Sequence, residues 1–239
     1  MLFKKQRKRL RKVGSLLVLG GSAYCAYQMG CHVTKTRLKS SNEKRMTFQW
    51  DRFKISATLA MPVNIKRFQT YPCVLILTDV DYPQENSRKI ADALAAKGMM
   101  SLRYQLPPID LNDSMRYDIA LLALHQLKFK LNINQKRIGL LGIGKACFEA
   151  IEISGKQEPL ARCLWNADLP EMNAGVKYPL LCVNATEDSI ESHKNAKQLV
   201  NKSPNANYLL IKDHGHCMVG KGLDDAILHT VAFMKHYLG

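Results

Sequence analysis

The sequence predicts an α/β fold, a mostly parallel sheet of about eight strands with helices on both faces, over residues 46–239. Three observations carry that prediction. "MTFQWDRFKISATLAMP" alternates apolar and polar residues, as a pair of half-buried antiparallel strands does. "YPCVLILTDV" is an unbroken apolar run, the mark of a strand covered on both faces of a parallel sheet. From there to the C-terminus, short apolar runs alternate with segments of helical spacing, which is the signature of repeated βα units.

The elements follow in order. "NSRKIADALAAKGM" has helical spacing and a terminal glycine, and "MSLRYQLP" reads as a short strand. "SMRYDIALLALHQLKFKL" is an amphipathic helix, "KRIGLLGIG" a strand, and "KACFEAIEIS" a helix. "LARCLW" and "YPLLCVNA" are strands, followed by the helix "IESHKNAKQLVN", the strand "NYLLIKD" and the helix "LDDAILHTVAFMKHYL". The segment "WNADLPEMNAGVKYP" between two strands leaves room for a minimal lid or none. Its Trp165 either lines a shallow pocket or caps the core.

Residues 1–45 form a separate basic arm and linker. They carry twelve Lys/Arg against one acid, Glu43, and so hold +11 of the net charge of +15. The near-neutral remainder lacks the basic excess of a nucleic-acid-binding domain, so no nucleic acid is expected as a partner. Residues 13–34 contain no Lys, Arg, Asp or Glu, long enough for a single membrane-spanning helix. An uncleaved anchor is the favoured reading. A signal peptide, an interfacial segment or lipoprotein cleavage at Cys31 are the alternatives, the last opposed by Gln28 where a leucine-like residue is usual. Seven positive charges before the span and five after it lean toward a cytoplasmic N-terminus. The scattered thiols Cys73, Cys147, Cys163, Cys182 and Cys217 lean toward a reducing compartment for the domain, and the two signals conflict. "SSNEKR" reads as the linker between arm and domain.

"GLLGIGKA", Gly139 to Ala146, half-fits two motifs. As G-x-x-x-x-G-K-[ST] it lacks the hydroxyl residue that ligates magnesium, and Gly139 falls inside the strand rather than in a loop. As G-x-S-x-G it has the strand, turn and helix of a nucleophile elbow, with Gly144 in the serine position. An elbow needs an acid and then a histidine, each beyond a later strand. Asp188 in "PLLCVNATEDSI" and His216 in "YLLIKDHGHCM" stand in that order and at those places.

With these residues assembled, the chain resembles the alpha/beta hydrolase superfamily from about residue 46 onward. It looks most similar to the dienelactone hydrolase group and to the catalytic domains of acyl-CoA thioesterases and bile-acid acyltransferases. "RIGLLGIGKA" is similar to that group's I-G-L-L-G-x-S-x-G, "NATEDSI" to its acid loop and "KDHGH" to its G-x-G-H. The resemblance implies Asp188 as the acid, His216 as the base, Gly144 at a vacant nucleophile position, and the backbone N–H of Lys145 as an oxyanion donor. It implies an ester or thioester hydrolase ancestry and no cofactor.

The departures decide the expected function. Gly144 has no side chain to carry an acyl group. Where the resembled group has "HG", the chain has "TDVDYP", which places Asp79 and Asp81 where negative charge would develop, unless the loop turns them away. The favoured expectation is a membrane-anchored pseudo-hydrolase that binds a small acyl compound or a protein partner. The alternative is an active hydrolase that uses a non-standard nucleophile or water activated by His216. His214 and Glu187 are the neighbouring substitutes for base and acid, and a plain helix cap is the structural role open to Asp188. Cys147, a turn into the helix, and Cys217 read as core thiols rather than nucleophiles, and no Cys/His cluster has metal-ligand spacing.

Overall fold

Alternating burial fixes the first edge of the sheet. β1 (Asn42–Trp50) and β2 (Phe53–Met61) form a hairpin in which Trp50 pairs with Phe53, and Asp51 takes a left-handed φ of 49° at the turn. Asp tolerates that conformation better than most residues. The computed structural model describes residues 41–239 apart from 108, 154–158, 213–214 and 216–217, and leaves the side chains of 190 and 191 undescribed. The segment 13–34 read as an anchor therefore lies outside the described residues.

β1 begins at Asn42, inside the stretch read as a linker. Its first residues are exposed and polar, so they carry no strand pattern. They are held as an outer edge by pairing with β2 and by the ion pair between Glu43 and Arg103.

β3 (Tyr71–Leu77) is buried at every position, as its apolar run requires. α1 (Gln84–Ala96) follows, and Gly98, at φ 77°, ends it. The Gly98 N–H donates to the Ala95 carbonyl and the Met99 N–H to the Leu94 carbonyl, the paired bonds of a Schellman motif. β4 (Met100–Tyr104) leads to α2 (Asp113–Lys128), capped by the Asn112 side chain on the Met115 N–H. β5 (Ile133–Ile143), α3 (Ala146–Glu152), β6 (Ala161–Trp165) and β7 (Leu180–Ala185) come next. α4 (Ile190–Asn201), β8 (Ala206–Ile211) and α5 (Gly220–Leu238) complete the chain.

The eight strands lie in the order β1-β2-β4-β3-β5-β6-β7-β8. β2 is antiparallel to both neighbours and every pairing from β4 to β8 is parallel. Two glycines of β5 show how the sheet is covered. A Cβ at Gly139 would stand 2.8 Å from Met234 and 3.0 Å from Leu238 of α5, whereas one at Gly142 would stand 2.8 Å from the Ala146 carbonyl oxygen of α3. The two positions point to opposite faces of the strand, so α5 covers one face and α3 the other. Residues 166–179 contain no helix, in keeping with a minimal lid.

Candidate functional site

The turn that joins β5 to α3 is built on Gly144, whose φ of 64° is one an L side chain rarely adopts. Two backbone bonds tie it to the end of β6 and the segment just beyond, and a third closes the turn onto α3. The Gly144 N–H donates to the Trp165 carbonyl at 2.9 Å, and the Gly144 carbonyl accepts from the N–H groups of Cys147 and Asp168 at 3.2 Å each. Trp165 itself is buried and its indole N–H donates to Thr230 at 2.8 Å, so it packs in the core.

Asp79 reaches this turn from the loop after β3. One carboxylate oxygen accepts the Lys145 backbone N–H at 3.1 Å, and the other pairs with the Arg116 guanidinium at 3.1 Å. The loop has turned Asp79 toward the site, while Asp81 is exposed to solvent. Arg116 also binds Glu149 of α3 through Nε. Burial disfavours the Arg116 charge, but Glu149 and then Asp79 more than offset this and raise its pKa. The second carboxylate oxygen of Glu149 is buried without a hydrogen-bond partner. Tyr104, whose pKa is raised by burial and then by the Glu149 charge, is held neutral beside the pair.

Asp188 lies beyond β7, as the sequence pattern requires, on a turn closed by its N–H on the Ala185 carbonyl at 3.1 Å. Its carboxylate accepts the Ser192 hydroxyl at 2.9 Å, and Asn184 donates to the same Ser192 oxygen at 2.9 Å. The helix cap proposed for Asp188 belongs to its neighbour: Ser189 accepts the Ser192 N–H at 3.1 Å. Glu187 is exposed. His216, His214 and Cys217 lie outside the described residues.

The fold is shared with solved structures of known proteins. A dienelactone hydrolase from Anabaena variabilis is 17% identical over 84% of this chain and 100% of its own, with a TM-score of 0.65. An esterase domain from Rhodothermus marinus is 16% identical over 83% of this chain and 100% of its own, also at 0.65. A dienelactone hydrolase-like promiscuous phosphotriesterase from metagenomic libraries is 12% identical, covers 84% and 100%, and reaches 0.70. The chain has the alpha/beta-hydrolase fold. No protein-family model matches the sequence, and no curated protein sequence matches it significantly.

In alpha/beta-hydrolase folds the N–H that follows the turn of a nucleophile elbow points toward a developing oxyanion, and the sequence expectation places that turn at Gly144 and that N–H on Lys145. Here that N–H is already taken by the Asp79 carboxylate. Cys147 offers no substitute. It is fully buried, burial raises its thiol pKa, Cys182 and Asp79 push the same way, and its Sγ faces the Trp165 carbonyl at 3.5 Å. A cleft of about 820 Å³ opens beside Asp79 over β1, β2, β4 and the start of α1. Arg45, Arg103, Thr47, Thr58 and Thr78 give it a polar lining, and Gly144, Lys145 and Asp188 do not contribute to it.

Arg116 and Glu149 are the site residues that motif reading missed. A signal for both was present. Arg116 falls on the stripe of Ile119, Ala120, Ala123, Leu124 and Leu127 that α2 buries, and Glu149 lies between the buried Ala146 and Ala150 of α3. A charge inside a buried stripe demands a partner.

Proposed function

We propose that this protein is a pseudo-hydrolase, an alpha/beta-hydrolase-fold domain that binds rather than hydrolyses, held at a membrane by residues 13–34. One observation carries the reading. At the elbow the chain has Gly144, with no nucleophilic atom, and the oxyanion donor Lys145 N–H is bound by a carboxylate of the protein itself. Acyl transfer needs a nucleophile to form the tetrahedral adduct and donors free to receive its negative charge. Asp79 opposes the second requirement twice, by occupying the donor and by placing a negative charge there. The ligand is a small acyl compound at the relict elbow or a protein partner. The cleft beside Asp79 is too polar to favour an acyl chain.

The ordering of Asp188 by Ser192 supports its assignment as the relict acid, with His216 as its partner. It also favours the second reading, in which that pair activates water. Turnover of short aryl esters and acyl thioesters by the full chain separates the two. The pseudo-hydrolase reading expects the rate in buffer alone, unchanged by Asp188→Asn. Catalysis abolished by Asp188→Asn establishes the second reading instead.

A further inference from the structure

At the end of the sheet opposite Gly144, three large apolar side chains stand almost entirely in solvent. Phe68 is 89% exposed, Phe129 79% and Leu131 95%. Single exposed apolar residues are ordinary, but three at one end of one sheet are not. Phe68 lies on the loop that enters β3, and Phe129 and Leu131 on the loop that enters β5. The two strands are neighbours, and the loops are tied together: the Tyr71 N–H donates to the Asn132 carbonyl at 2.8 Å, and the Asn132 amide to the Gln69 carbonyl at 3.4 Å. Phe68 also holds a φ of 65°, an unfavourable conformation for a bulky residue, while leaving its ring in solvent.

The charge carried by the two loop segments has one sign. Residues 62–70 contain Lys66 and Arg67, residues 126–138 contain Lys128, Lys130, Lys136 and Arg137, and neither segment contains Asp or Glu. Lys66, Arg67 and Lys136 are exposed, and the Arg67 guanidinium lies 5.0 Å from the Phe68 ring centroid.

We propose that these two loops seat the domain on an anionic lipid bilayer, with Phe68, Phe129 and Leu131 entering the headgroup region and the lysines and arginines meeting lipid phosphates and carboxylates. Apolar tips ringed by cations suit that boundary, where the apolar group leaves water and the charges stay at the surface. Leu131 adds nothing to base stacking, which weighs against a single-stranded nucleic acid. β1 also starts at this end. β1 is parallel to β4, and the side chain of its first residue, Asn42, donates to Val63 at the start of the Phe68 loop at 3.3 Å. Seating on these loops leaves the elbow, at the far end of β5, turned away from the lipid. The inference stands apart from the pseudo-hydrolase reading and from insertion of residues 13–34.

The test places an indole on the tip by Leu131→Trp in the full chain. Its emission is read against that of the parent, which has only Trp50 and the buried Trp165. Vesicles of phosphatidylcholine with brominated acyl chains are compared with and without about a quarter phosphatidylserine. The proposal expects quenching of the added emission on the anionic vesicles, its loss in high salt, and a population in contact reduced about tenfold or more by Phe68→Ser with Phe129→Ser. A chain that sediments with the vesicles while the introduced indole stays unquenched overturns the proposal and leaves the anchor reading intact. Equal quenching on neutral vesicles, or a response to single-stranded RNA and none to lipid, also overturns it.

Discussion

Replacing Asp79 tests whether its carboxylate sits on the Lys145 N–H at the Gly144 turn. The carboxylate accepts from two donors, the Lys145 N–H and the Arg116 guanidinium, each at 3.1 Å. A hydrogen bond to a charged group contributes about 1.5–3 kcal/mol when buried. The Asp79 side chain is 25% exposed and Arg116 keeps Glu149 as a partner, so the two bonds together are worth about 2 kcal/mol. Asp79→Ala should therefore lower the midpoint of thermal unfolding by about 4–8 °C. Asp79→Asn should fare no better, because both partners are donors and the amide turns its NH2 toward one of them. Arg116→Met should cost more, about 3–5 kcal/mol, because it strands two carboxylates, and the Glu149 side chain is only 4% exposed. Urea unfolding of the three variants measures the order. A neutral Asp79→Ala, or an Asp79→Asn that restores parental stability, refutes the two-donor geometry.

Three further outcomes follow from the same structure. Gly142→Ala should destabilise by about 3 kcal/mol, because its Cβ meets the backbone of α3 at 2.8 Å, whereas Gly139→Ala, whose close contacts are the flexible side chains of Met234 and Leu238 and which meets backbone only at 3.4 Å, should cost less than about 1.5 kcal/mol; unfolding curves for the two variants check the order. Cys73, Cys147, Cys163 and Cys182 are buried with raised pKa values, so peptide mapping should find all four unalkylated in the native chain at pH 8 and modified after denaturation. Burial lowers the His229 pKa, so below its ordinary value of 6.5 the unfolded chain takes up a proton that the folded chain resists. Stability should fall as the pH drops through that value, and His229→Gln should flatten the slope.

The sequence makes the sheet legible wherever burial is complete. β3 is apolar at every position because both faces are covered, and the glycines of β5 announce close contact on one face, then the other, then a turn. Asp188 is legible because a strand end followed by an acid is a positional signal. The edges are not. Asn42, Glu43, Lys44 and Arg45 look like a linker, since an edge strand in solvent needs no apolar residues. The helical spacing of α2 runs on to Leu131, but the helix ends at Lys128. Phe129 and Leu131 satisfy the helical pattern and yet project into solvent. The direction of Asp79 was unreadable for another reason. A loop carboxylate turns toward whichever donors are nearest, and its partners Lys145 and Arg116 are 66 and 37 residues away in the chain.

Intact-mass spectrometry of the full chain after incubation with a fluorophosphonate tests the central claim most directly. A functional elbow traps the phosphonyl group on its nucleophile, held by the same N–H groups that stabilise an oxyanion. With Gly144 at the turn and Asp79 on the Lys145 N–H, the account predicts an unchanged mass. Stoichiometric addition of one phosphonyl group to any serine or cysteine would contradict it.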